Sequence, residues 1–144
     1  MLILVLLLGP TLLLGSTNDE KLYNTAITRG QEKNQYIFLV FTSNNCSWCD
    51  KLKSETFTDP SVEPILLQYV IVEINVSKYG PTLFNRFKTA YKNHPFSKTW
   101  TDQVPVYFLI NPNFYQSVGQ GVGYKTPSEL SSWFRLIKSE GFAR

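Results

Sequence analysis

The chain is poor in sulfur and histidine: two cysteines, one histidine and one methionine among 144 residues. Two cysteines cannot build the disulfide framework that replaces a core in small secreted domains. Structural zinc usually takes four Cys or His ligands, and only Cys46, Cys49 and His94 are on offer, so no metal is expected. Copper(I) suits soft thiolates, but the only thioether is Met1 and the cysteine spacing is not typical of a copper chaperone. Basic blocks are also missing. The net charge is +3 and the lysines and arginines are scattered, which gives no case for nucleic acid. There is no internal repeat or low-complexity segment.

What is present is apolar and aromatic. A hydrophobic fraction of 43% and an aromatic fraction of 15% in 144 residues suffice for one domain with its own packed core. Residues 1–14 are almost wholly apolar, broken only by Gly9, Pro10 and Thr11. The run is shorter than the ~20 residues that span a bilayer. It fits the apolar region of a secretory signal peptide, with Gly15 and Ser16 as small residues for cleavage, although no lysine or arginine precedes it. We divide the chain into residues 1–16, a signal peptide or N-terminal membrane anchor, and 17–144, a folded domain. Export to a periplasmic or other extracytoplasmic compartment follows, with membrane association through residues 1–14. A buried N-terminal helix or strand is the plain alternative.

Apolar periodicity predicts the elements. Asn18 to Lys33 reads as a helix capped by Asn18 or Asp19 and weakened at its end by Gly30. Tyr36 to Phe41 is a continuous run of β-formers, as in a central strand covered on both faces. Ser43-Asn44-Asn45 turns the chain into a helix that opens at Cys46 and runs to about Phe57. A second helical piece follows Asp59-Pro60. Tyr69 to Val76 is the next strand, and Thr82 to Tyr91 the next helix. His94 to Gln103 reads as an irregular loop, and Val104 to Ile110 as a strand entered through Pro105. Asn111-Pro112-Asn113 signals a turn, so Phe114 to Val118 should pair back as a hairpin. Gly119, Gly121 and Gly123 then suggest a loop. Thr126-Pro127-Ser128-Glu129 is a capping box that starts the last helix. The helical crossover implies parallel pairing of the first two strands, and the hairpin adds antiparallel ones.

The chemistry concentrates in Cys46-Ser47-Trp48-Cys49. Two thiols at this spacing at a helix start can close a disulfide with each other. The unpaired N–H groups and the dipole there favour the Cys46 thiolate, which is the reactive form. Cys49 lies one turn inside and should be less exposed. A purely structural disulfide is the serious competitor, but closing so short a loop stabilises little. Trp48, between the cysteines, reads as an apolar rim that contacts partners. Trp100 either joins that rim or covers the sheet edge. Lys51 and Lys53 either support the thiolate by charge or are simply solvated. Asn45-Cys46-Ser47 and Asn75-Val76-Ser77 match the glycosylation sequon, a short pattern that we discount, since sugar on Asn45 would block the cysteines.

In this order the residues resemble the thioredoxin superfamily over about 36–141. The likeness is to its exported, thiol:disulfide interchange branch. It is carried by Phe41, Cys46, Trp48, Cys49, Lys51, Leu52, Glu55, Phe57, Asp59 and Pro60, and by Val104-Pro105 at the head of a hairpin. The resemblance implies an α/β thioredoxin fold: a central mixed four-stranded sheet flanked by helices, with an extra N-terminal helix. It implies a thiol–disulfide oxidoreductase, reductive or interchanging, in which Cys46 attacks a substrate disulfide and Cys49 resolves the mixed disulfide. The pair would cycle through a Cys46–Cys49 disulfide. Pro105 would match the family's cis-proline and leave the Val104 backbone free to pair with substrate. No cofactor beyond the dithiol is implied. The partners would be protein thiols and disulfides and a redox partner protein, and the chain is expected to be a monomer.

Two departures stand out. The acid that many thioredoxins bury before the motif is replaced by Val40, and the partner lysine aligns with Glu73. We therefore take Glu73 as a substitute acid, desolvated so that its pKa rises, against the plain alternative of a solvent-facing strand end. Ser47-Trp48 replaces the usual Gly-Pro, which leaves the direction of electron flow open. A function of another class is a redox-inactive thioredoxin-fold binding or chaperone module.

Overall fold

A computed structural model of the chain describes residues 15–141. The expected leader, 1–14, lies outside the described residues. Helix α1 (Asn18–Lys33) is followed by strand β1 (Ile37–Thr42). A short helix α2 (Ser47–Lys51) runs directly into a π-helical turn, Leu52–Thr56. Then come α3 (Glu63–Leu66), β2 (Val70–Asn75), α4 (Val76–Tyr79) and α5 (Thr82–Ala90). A single 3₁₀ turn, Pro95–Lys98, precedes β3 (Val106–Asn111), β4 (Gln116–Val122) and α6 (Pro127–Ser139).

The strands form one sheet in the order β2-β1-β3-β4. β1 pairs parallel with β2 and antiparallel with β3, and β3 pairs antiparallel with β4. This is the mixed four-stranded sheet of a thioredoxin fold, with α1 as the extra N-terminal helix. Every residue of β1 and β3 is buried, so the alternating side chains of each strand need cover on both faces. Ile37, Leu39 and Phe41 pack with Tyr23, Ile27 and Leu83 from α1 and α5. Phe38 and Val40 pack on the other face with Leu52, Val62, Leu130 and Phe134. Fully burying a side chain of this size contributes about 2 kcal/mol.

α1 is anchored at both ends. Thr17, rather than Asn18 or Asp19, is its N-cap, and the Thr17 N–H and hydroxyl donate to Glu20 Oε1 at 3.3 and 2.8 Å. Asp19 is instead fully buried, where its Oδ2 accepts the Leu83 N–H at 2.7 Å. That carboxylate ties the first turn of α1 to the first turn of α5, where free N–H groups need acceptors. The helix passes through Gly30 to an Asn34 cap in the left-handed region, φ 54°. Gly30 is required by close approach: a Cβ there would stand 2.7 Å from the Gln35 carbonyl oxygen.

β4 corrects the sequence reading. The strand starts at Gln116, and Gly119 and Gly121 lie inside it rather than in a loop. Each glycine makes room for a side chain packed on the sheet, Ile137 of α6 over Gly119 and the Tyr107 ring of β3 over Gly121. Here the missing side chain serves packing, not a turn. Phe114 and Tyr115 form the exposed hairpin apex instead of strand.

Burial pushes the Tyr23 hydroxyl from 10.0 up to about 12, with the Arg86 charge opposing part of the shift. Because folding raises this pKa, the stability it contributes is complete below pH 10 and is lost as pH rises towards 12. Urea titrations across this alkaline range should show Tyr23→Phe losing less stability with pH than the wild type.

Candidate active site

The loop after β1 delivers Cys46 to the cap of α2. Its backbone is extended, φ −105° and ψ 96°, and its Sγ accepts the Cys49 N–H at 3.1 Å. Its carbonyl accepts the Asp50 N–H at 3.1 Å. The sulfur therefore occupies the N-cap acceptor position, where helical N–H groups stabilise negative charge. Cys49 lies one turn on, 1% exposed, whereas Cys46 is half-buried. The two are joined in a disulfide, with Cα atoms 5.2 Å apart. Of the two, Cys46 is the one with surface open to solvent.

The sheet brings a second segment to this sulfur. The Val104–Pro105 peptide is cis, and the Val104 carbonyl oxygen lies 3.8 Å from Cys46 Sγ. β3 starts one residue later, antiparallel to β1, so its entry meets the end of β1. The Pro105 carbonyl accepts the Gly123 N–H at 2.8 Å. Cys46, Cys49, Trp48, Val104 and Pro105 thus meet at one end of the sheet.

Trp48 is 56% exposed and lies against Tyr124, with ring centroids 5.8 Å apart. Lys51 Nζ lies 5.3 Å from the Trp48 ring centre and 4.6 Å from that of Tyr124. Tyr124 was missed in the sequence. Its signal was an aromatic residue between Gly123 and the last capping box, and only the β3–β4 pairing carries that loop to Pro105. Trp100, by contrast, belongs to the core. It is 4% exposed, packs on Phe84 and Phe108, and donates its indole N–H to the Gln103 carbonyl at 3.1 Å. His94 is a local cap, its Nδ1 accepting the Phe96 N–H at 3.0 Å. The side-chain oxygen of Asn75 caps α4, and its amide nitrogen donates to Asn44 at 3.0 Å.

Glu73 stands apart from the cysteines. Val40 is buried and pairs in register with Glu73 across β1 and β2, so both lie on the sheet face towards α2. Yet the Glu73 side chain is 36% exposed, and its Oε2 lies 3.0 Å from Lys53 Nζ. The same oxygen accepts the Thr42 hydroxyl at 2.7 Å. The expectation of a desolvated carboxylate is therefore corrected. β2 is an edge strand, and its outward flank leaves residue 73 open to water and to Lys53.

A Cys-x-x-Cys disulfide with one member partly open to solvent and the other buried is the arrangement of disulfide exchange, and the protein is a thiol–disulfide oxidoreductase. The chain belongs to the thioredoxin-like domain family, whose model matches residues 23–138. Solved structures of the same fold include a thioredoxin from Thermus thermophilus, 20% identical over 84% of this chain and 87% of that one, TM-score 0.67. A disulphide isomerase from Xylella fastidiosa is 16% identical over 86% and 94%, TM-score 0.63. The oxidised C-terminal domain of DsbD from Neisseria meningitidis is 14% identical over 81% and 93%, TM-score 0.59. A search of curated proteins returned no match. Among the described residues no helix is long and apolar enough to cross a membrane.

Alkylation of the reduced protein near neutral pH should label Cys46 well before Cys49. Peptide mapping by mass spectrometry would read the order directly.

Proposed function

We propose that the protein reduces or interchanges disulfides of other proteins outside the cytoplasm, with Cys46 as nucleophile and Cys49 as resolving thiol. The observation that carries this reading is the asymmetry of the pair: a half-buried cysteine at a helix cap and a partner 1% exposed behind it. The Cys46 thiolate attacks one sulfur of the substrate disulfide. A mixed disulfide forms, and the other substrate sulfur leaves as a thiolate and takes up a proton. Cys49 then loses its proton and attacks Cys46 Sγ. The Cys46–Cys49 disulfide forms, and the second substrate thiol is released. Two electrons pass from protein to substrate. A redox partner protein returns them, and no cofactor is needed.

In this reading the Val104 backbone and Pro105 flank the extended substrate segment, and Trp48 supplies an apolar rim. The apolar run of residues 1–14 supports export, as a cleaved signal or as a retained anchor, and a monomer suffices for the chemistry. Glu73, exposed and ion-paired, is left with an electrostatic part exercised through Lys53.

Cys46→Ser should abolish reduction of insulin disulfides while the protein remains folded. A wild type that never exchanges with dithiothreitol or glutathione would instead favour the redox-inactive binding module. Glu73→Gln should shift the pH profile of Cys49 reactivity slightly, and a profile superimposable on that of the wild type removes Glu73 from the mechanism.

A further inference from the structure

We propose that Tyr124 is a positioning residue that holds Trp48 beside the disulfide. The Trp48–Tyr124–Lys51 ledge then selects partners whose cysteine is flanked by an apolar side chain and an acidic one. The inference rests on the oxidoreductase reading and names the substrate class of that site.

Tyr124 is held from three directions. On one side Gly123 donates its N–H to the Pro105 carbonyl at 2.8 Å and accepts the Tyr107 hydroxyl at 3.3 Å. On the other, the Lys125 carbonyl accepts the hydroxyl of the fully buried Thr56 at 2.6 Å. The Tyr124 hydroxyl itself donates to Glu55 Oε2 at 3.2 Å. Glu55 and Thr56 both belong to the π-helical turn that continues α2. That turn therefore holds the loop carrying Tyr124 against the helix that carries the disulfide. A tyrosine pinned in this way offers a fixed face for Trp48 to lean on.

The ledge has two chemical characters. Trp48 keeps more than half of its surface open to water, although a free indole face gains by covering apolar surface. Lys51 sits over both rings, and none of the ion pairs among the described residues involves it. Its neighbour Lys53 is paired with Glu73, while Glu55 accepts the Tyr124 hydroxyl through Oε2 and forms no ion pair with Lys51. An approaching segment thus meets an open aromatic face and one cation that makes no ion pair among the described residues. Those two features match an apolar residue and a carboxylate next to the reacting cysteine.

The test uses pre-reduced protein in single turnover with two disulfide-bonded synthetic peptides that differ only beside the cysteine, Leu-Glu in one and Ser-Lys in the other. The wild type should consume the Leu-Glu peptide about tenfold more efficiently, in line with one aromatic contact plus one charge pair. Tyr124→Ala should raise the half-saturating concentration for Leu-Glu about fivefold, leave that for Ser-Lys nearly unmoved, and spare the maximal rate. Tyr124→Phe keeps the ring and should keep the preference, which guards against a folding defect in the alanine variant. Lys51→Gln should remove only the part of the preference that added salt also removes. A wild type indifferent to the two peptides overturns the proposal, as does a Tyr124→Ala protein slowed equally on both. Failure of the wild type to react with 2-hydroxyethyl disulfide would instead overturn the oxidoreductase reading.

Discussion

Two strands buried at every position set the terms for the rest of the molecule. β1 and β3 lie side by side at the centre of the sheet with no residue left to solvent. An alternating strand can be buried throughout only if both sheet faces are covered. That requirement places α1 and α5 on one face and the π-helical turn, α3 and α6 on the other. It also explains the aromatic richness, since Phe38 alone meets the rings of Phe57, Tyr107, Trp133 and Phe134. With the sheet immobilised, the end of β1 and the entry to β3 are fixed relative to each other, and Cys46 and Val104 are brought within contact distance.

The site depends on backbone stitching between segments far apart in the chain. The Pro105 carbonyl and Gly123 N–H join the entry of β3 to the exit of β4, and Thr56 and the Lys125 carbonyl join that exit to the cysteine helix. The π-helical turn has a role here. Widening the helix at Leu52–Thr56 coincides with the placing of Glu55 and Thr56 against the loop, and such turns recur at functional sites. The result is an open sulfur, a buried sulfur, a flanking proline and an aromatic ledge held on rigid elements. A partner would meet a preorganised surface, which lowers the entropy lost on docking.

Much of this was legible before the fold was known. The run Tyr36 to Phe41 announced a central strand because its apolar residues are β-formers, too few for a helix, and fit two-sided burial. The capping box at Thr126 marked the start of α6 because its Glu129 is local, and local hydrogen bonds can be read from spacing: Thr126 Oγ1 does accept the Glu129 N–H at 3.2 Å. The reading failed where a residue answers to a distant neighbour. Gly119 and Gly121 suggested a loop, yet they are strand residues shaped by Ile137 and Tyr107. Glu73 was placed on the correct strand, but its environment was misjudged, because edge position and the reach of Lys53 are tertiary facts.

By itself the sequence determined the element order, the two-sided core and the helix-capping position of Cys46, because these follow from periodicity and contacts within a few residues. Only the tertiary structure decided that Val104 faces the sulfur, that Cys49 is closed to solvent, and that Tyr124 and Lys51 build a ledge on Trp48. Those outcomes depend on the register of β1 against β3 and on hydrogen bonds spanning much of the chain. No local spacing encodes such separations, since they exist only once the sheet has closed and both faces are covered.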